Sequence, residues 1–213
     1  MGKEFLYIFE EWAKDYDQTV SGKDEEYKEV FRGYDDILDT VARASVGKVL
    51  EFGAGTGNLT AKLLDKGHEV IVIEPSIPMR EIAQQKLQSE RIEFVDGDFL
   101  QYPSLENIDS VVSTYAFHHL TDQEKADAVK EYGKLLGVNG KIVFADTMYE
   151  SKEAHYIAIE DAKKQGFMQL AKDLQTEYYT TIPYLQTVFE DNGFTVSFKR
   201  SNQFVWILEA IKL

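Results

Sequence analysis

Residues Val49-Leu-Glu-Phe-Gly-Ala-Gly-Thr-Gly57, followed by Asn58-Leu-Thr-Ala-Lys-Leu-Leu64, decide the fold. The first four form a short apolar run with an acid, Glu51, near its end. Gly53, Gly55 and Gly57 then alternate with Ala54 and Thr56, and a helical pattern opens at Asn58. A strand, a turn of residues without side chains and a helix start make a pocket for a nucleotide-type cofactor. The glycines let the backbone come close to a ligand, and the helix start offers N–H groups that lack intrahelical partners.

The spacing narrows the cofactor. A dinucleotide turn reads G-x-G-x-x-G, its third glycine packing helix on strand. Here that place is Asn58, and the extra glycine, Gly57, comes one residue early. Downstream, His68-Glu-Val-Ile-Val-Ile-Glu74 is a second buried strand. Its terminal acid, with Pro75 after it, stands about 20 residues beyond the turn, where a carboxylate accepts from both ribose hydroxyls. A third strand pattern, Arg91-Ile-Glu-Phe-Val95, runs into Asp96-Gly-Asp-Phe99. Gly97, Asp98 and Phe99 are turn residues that can also close on a base. A fourth stretch, Asp109-Ser-Val-Val-Ser-Thr-Tyr-Ala-Phe-His-His-Leu120, opens from a strand into an aromatic and histidine-rich loop.

This ordered set resembles the class I S-adenosylmethionine (SAM) methyltransferases, whose first motif reads E/D-x-G-x-G-x-G. The chain is more closely similar to the bacterial methyltransferase family typified by YrrT. The likeness runs from Glu10-Glu-Trp-Ala-Lys-Asp-Tyr-Asp17 through Gly140-Lys-Ile-Val-Phe-Ala-Asp-Thr147 to Phe204-Val-Trp206. It implies an α/β, Rossmann-like fold with a mostly parallel seven-stranded sheet, helices on both faces and an antiparallel C-terminal strand, in the order 3-2-1-4-5-7-6. It implies SAM as the cofactor, held by Glu51, Gly53, Ala54, Gly55, Gly57, Asn58, Glu74 and Pro75. Gly97, Asp98 and Phe99 fall at the adenine, and Ser113 and Tyr115 near the reactive methyl. Tyr16 resembles the tyrosine that caps the methionine end of SAM in relatives with a Trp-Ala-x-x-Tyr-Asp start; Tyr27, Lys28 and Arg32 are further candidates for its carboxylate.

His118 is the candidate catalytic residue, because an imidazole with a near-neutral pKa can take the proton of an amine, hydroxyl or acidic carbon. No metal is expected: His118 and His119 would diverge on an extended segment, and the chain has no cysteine. The acceptor pocket is expected among residues 5–34, the loop after Ser113 and the segment from Asp146 to Tyr179. Tyr115, Phe117, Tyr149, Tyr178 and Tyr179 are the candidate lining, and their aromatic character suits a small-molecule acceptor.

The 213 residues fit a single domain, 1–213, and 44% hydrophobic content suits a globular protein. A net charge of −14 repels a phosphate polyanion at long range, so no nucleic-acid partner is expected. No apolar run is long enough for a membrane span, and Met1-Gly-Lys-Glu-Phe-Leu6 lacks a signal core, so a cytoplasmic enzyme is expected. Hydrophobic spacing predicts cap helices within 1–45, over 4–17 and about 24–44. It further predicts helices 58–66, 77–88, 122–136 and 181–191 and a helical insertion over 152–175. The alternation of strands and helices predicts a parallel sheet covered on both faces. Competing readings are an NAD-dependent oxidoreductase, an aminopropyl transferase and a non-catalytic SAM or S-adenosylhomocysteine (SAH) sensor. The missing third glycine argues against the first, and nothing in the sequence identifies the acidic amine pocket the second needs. An intact cofactor motif suits the sensor as well as the enzyme.

Overall fold

A computed structural model describes residues 16–213. Of the expected helix over 4–17, all but Tyr16 and Asp17 lies outside the described residues. Tyr16–Gln18 forms one helical turn that runs into a π turn over Thr19–Lys23. The expected long helix from residue 24 does not form. Residues 24–33 are turns, and α1 spans Tyr34–Ala44. Gly33, at φ 74, sets the break: its left-handed backbone cannot continue a helix, and Asp35 and Asp36 then occupy the favourable first turn.

The core alternates as its periodicity requires. β1 (Lys48–Phe52) leads to α2 (Asn58–Asp65), β2 (Glu69–Ile73) to α3 (Ile77–Lys86), and β3 (Ile92–Val95) to β4 (Ser110–Thr114). α4 (Asp122–Leu135) starts in a full capping box between Thr121 and Glu124 and precedes β5 (Lys141–Tyr149). The expected single insertion is two helices, α5 (Lys152–Gln165) and α6 (Met168–Thr176), because Gly166 at φ 80 caps the first. A two-residue β6 (Thr180–Thr181), α7 (Ile182–Asp191), β7 (Phe194–Arg200) and β8 (Val205–Lys212) complete the chain.

The sheet path is β3-β2-β1-β4-β5-β8-β7, with β6 pairing the far end of β5. The first five strands are parallel, and β8 runs antiparallel between β5 and β7. Counting the hairpin strands as sixth and seventh, this is the expected order. β5 extends to Tyr149 because both neighbours keep pairing with it: Thr147 faces Val205, and Met148 and Tyr149 face β6.

Successive strand residues feed opposite faces. Val49, Val70, Val72, Val112 and Val143 pack with α1, α2, α5 and α6. Leu50, Phe52, Ile71, Ile73, Val111 and Phe144 pack with α4 and α7. Each fully buried side chain of this kind contributes about 1.5 to 3 kcal/mol. The rigid layers fix the C-terminal edges of β1, β2, β4 and β5, where ligands bind in open α/β sheets.

Candidate functional site

The glycine turn leaves β1 with three left-handed residues, Gly53 (φ 65), Gly55 (φ 55) and Gly57 (φ 83). A Cβ on Gly53 would stand 2.6 Å from the Cβ of Ala116, and one on Gly57 2.6 Å from Leu87 Cδ1. Those two glycines are packing necessities. Gly55 differs: the nearest atom to a Cβ there would be Tyr16 Cε1 at 3.9 Å. The turn is held by Gly53 N–H donating to Ile73 O at 2.9 Å and Gly57 N–H donating to Ala54 O at 2.9 Å.

Glu74 closes the other side. It is 6% exposed at the end of β2, accepting from Gly55 N–H through Oε2 and from Ser76 N–H through Oε1, both at 2.8 Å. Burial raises its pKa, and the two N–H bonds oppose that rise. Half-buried Pro75 joins Glu74 to Ser76. Glu51 is buried one residue before the end of β1 and accepts from Thr60 Oγ1 at 2.7 Å, so it braces the strand against α2. Burial, reinforced by the charge on Glu74, pushes it up to about 8.

The expected residues converge here, and two that the sequence reading missed join them. Asn58 opens α2 and donates to Asp17 Oδ1 at 3.0 Å, while its Oδ1 accepts from Lys86 Nζ at 2.5 Å. Asp17 also accepts from Thr56 Oγ1 at 2.7 Å and pairs with Lys86 at 3.1 Å. Burial opposes the Asp17 charge, but these bonds outweigh it and hold the pKa below the usual range. Asp17 thereby ties the turn bearing Tyr16 onto the glycine turn. Tyr16 lies against Gly55 and bonds to the Tyr34 hydroxyl.

The third strand's turn is more structural than expected. Gly97 is required by close packing, since a Cβ would stand 2.6 Å from Gln101 O. Asp98 Oδ1 accepts from Leu100 and Gln101 N–H at 2.9 Å, the usual work of an aspartate in a turn. The Phe99 ring stacks on Phe52 at 5.1 Å, within the core.

Beyond the glycine turn, β4 ends in Ser113, 1% exposed, and Tyr115, at φ 53. Neither hydroxyl has a hydrogen-bond partner among the described residues. Tyr115 packs 5.2 Å from Phe31 and 5.5 Å from Tyr34. Its N–H donates to Ala145 O, which sets it beside Asp146 on β5.

Residues 117–119 are a 3-10 turn, and this corrects the expectation that the two histidines diverge. Their ring centroids are 4.2 Å apart: successive side chains of a 3-10 turn point about 120° apart, not to opposite faces as on a strand. His118 Nδ1 stands 2.6 Å from Asp146 Oδ1, and its backbone N–H donates to Asp146 Oδ2 at 2.9 Å. Its Nε2 faces Glu177 Oε2 at 3.3 Å, and Tyr179 OH donates to that same oxygen at 2.5 Å. Burial disfavours the imidazolium, but Asp146 and Glu177 overcome it and raise the pKa of His118. His119 is pushed well below the ordinary range by burial and then by the charges on His118 and Lys125. Ligand atoms of His118, His119 and Glu177 lie within 4.8 Å of one another, but Glu177 is engaged by Tyr179 and His118.

Lys125, 1% exposed, donates to Leu120 O and, at 2.7 Å, to Tyr178 O, clamping the histidine turn to the segment after α6. Burial lowers it to about 8. Of the expected lining residues, Tyr115, Tyr149 and Tyr179 gather at this end. Phe117 is 2% exposed and packs on Phe144, and Tyr178 is 37% exposed. Lys28 and Arg32 pair on the surface with Glu25 and Glu29, and Tyr27 bonds Asp173 instead. Asp146 was visible in principle: like Glu74, it is an acid that follows an apolar run, although β5 continues past it. Glu177 had no such signal.

The donor set fits a sulfonium nucleoside. The open face at Gly55, the buried Glu74 carboxylate and the orphaned hydroxyls of Ser113 and Tyr115 lie along one edge of the sheet. Residues 49–140 match the methyltransferase domain family. Over 213 residues, the whole of both chains, the sequence is 58% identical to the uncharacterized methyltransferase YrrT of Bacillus subtilis. It is 57% identical, again over the whole of both, to an uncharacterized methyltransferase of Anoxybacillus flavithermus. A solved SAM-dependent methyltransferase of Thermotoga maritima, described as a possible histamine N-methyltransferase, shares the fold. Its TM-score is 0.68 at 18% identity, covering 98% of this chain and 100% of that one. The SAM-bound magnesium protoporphyrin IX methyltransferase of Synechocystis gives a TM-score of 0.64 at 18% identity, covering 88% and 84%.

Proposed function

Because the chain belongs to the SAM-dependent methyltransferases, we propose that it methylates a small-molecule acceptor and releases SAH, with the cofactor at the glycine turn and the acceptor beside His118. The observation that carries this reading is the Glu74 carboxylate, buried at the end of β2 and bonded to the open glycine, Gly55. A carboxylate there accepts from ribose hydroxyls and disfavours a 2′-phosphate. Ala54, Gly55 and Tyr16 line the methionine end, and the turn over Gly97, Asp98 and Phe99 closes on the base. When bound, SAM supplies an electrophilic methyl whose carbon–sulfur electron pair leaves with sulfur as the acceptor's lone pair forms the new bond.

The chain's own work is placement and proton handling. Ser113 and Tyr115 lie between the two halves. His118 takes the acceptor's proton, with Asp146 fixing the imidazole through Nδ1. The flanking carboxylates raise its pKa, so the base form develops above the ordinary histidine range. Turnover should therefore rise with pH through that elevated pKa.

The enclosed aromatic surroundings and the net charge of −14 support a small acceptor over a nucleic acid. Among the described residues no helix is long and apolar enough to cross a membrane. SAH release measured against a panel of small amines, alcohols and acids, with folded protein and RNA as comparison, tests the proposal. Turnover with a small molecule is expected. Turnover only with protein or RNA defeats the small-molecule reading, and tight SAM binding without turnover anywhere favours a sensor.

A further inference from the structure

We propose that the acceptor is an amine, bound as its ammonium by Glu177 in a pocket walled by Tyr27, Tyr149 and Tyr179; the inference rests on the methyltransferase reading and names its substrate class. Glu177 follows α6; Tyr179 OH donates to its Oε2, and His118 Nε2 stands 3.3 Å from the same oxygen. The side chain is 15% exposed, and both of these contacts fall on Oε2.

The walls are aromatic. Tyr179 stacks on His118 at 5.0 Å and meets Tyr149 edge to face at 6.2 Å. Tyr149 stacks on His155 at 4.5 Å. Burial, and then the charge on Glu177, raise the pKa of the Tyr149 phenol. Tyr149 is 6% exposed, and its hydroxyl has no hydrogen-bond partner among the described residues. Leaving a buried hydroxyl unpaired is costly, which marks it as awaiting a polar ligand group. Tyr27, bonded to Asp173, feels the Glu177 charge as well.

Charge selects the ligand. Asp146, Asp173 and Glu177 outnumber the nearby cations His118 and Lys125, and Lys125 is committed to two carbonyls. Tyrosine faces and a surplus carboxylate attract a cation and repel an anion. The pocket adjoins the expected methyl position: Asp146, which holds His118, follows Ala145, whose carbonyl accepts from Tyr115 N–H at 2.9 Å, and Tyr115 packs on Tyr34 at 5.5 Å.

An ammonium has no lone pair with which to attack. Its N–H bond breaks as an O–H bond forms on Glu177, and the electron pair stays on nitrogen. Oε2 is 3.3 Å from His118 Nε2, so the neutral imidazole can take that proton onward.

Calorimetry on the protein saturated with SAH, in EDTA, tests this with 2-phenylethylamine, 2-phenylethanol and phenylacetate. The amine should bind at least about 10-fold tighter than the alcohol, with phenylacetate weakest. Glu177→Gln should erase that preference without changing SAH affinity, and Tyr149→Phe should weaken the amine about 3-fold or more. Equal affinity for amine and alcohol, a preference for the acid, or no binding by any probe overturns the proposal while leaving the SAH site intact. Failure to bind SAH at all overturns the methyltransferase reading instead. If Glu177→Gln does not fold, the wild-type ranking of the three probes decides.

Discussion

The proposed cofactor half and the proposed acceptor half of this site are built differently. Gly53, Gly55, Gly57, Glu51 and Glu74 come from one strand–turn–helix–strand passage, and Glu74 reaches Gly55 only 19 positions back. The acceptor half joins His118 after β4, Asp146 on β5 and Glu177 after α6, so its ion pairs span 28 and 59 positions. The first half is local chemistry repeated wherever a nucleoside must meet a sheet edge. The second is assembled only by tertiary packing.

The comparison is sharpened most by His118→Ala. It should lower kcat by about 100- to 1000-fold and abolish the rise of turnover with pH, while SAM affinity stays within about 2-fold. A matching loss of SAM affinity would show that the two halves are not separate.

Next in size is Gly53→Ala against Gly55→Ala. At Gly53 a left-handed backbone and the 2.6 Å approach to Ala116 combine, so urea unfolding should report a loss of about 2 to 4 kcal/mol. At Gly55 only the backbone strain applies, and the expected loss is about 1 to 2 kcal/mol. Equal losses would break the distinction between packing glycine and ligand-facing glycine.

Smaller still is the pH dependence tied to Glu51. Its folded pKa of about 8 lies above the unfolded carboxyl range of about 4.3. Between these values the unfolded chain releases a proton that the folded chain keeps. The stabilisation is therefore complete below about pH 4.3 and is lost as pH rises through 8. Glu51→Gln should flatten the fall in stability between pH 5 and 8 by on the order of 2 kcal/mol. An unchanged slope would mean that Glu51 is already ionised in the fold.

Legibility in the sequence followed the same division. The strand–glycine–helix order and the acid after β2 could be read directly, because each depends on neighbours a few residues away. Gly33 and Gly166 were visible as letters, but the spacing of apolar residues does not report the left-handed conformations with which they split two expected helices. The pairing of His118 with Asp146 was missed because the histidines were placed on an extended segment rather than a 3-10 turn. Glu177 was one acid among the 37 acidic residues, and only the fold distinguishes it.

The central claim is that Glu74 and the glycine turn form the nucleoside site, and titration of SAH into the wild type and Glu74→Ala by calorimetry tests it most directly. The expected result is saturable one-to-one binding to the wild type and a loss of affinity of about 10- to 100-fold in the variant, with its melting temperature retained. A wild type that binds no SAH, or a folded variant that binds as tightly as the wild type, would contradict it.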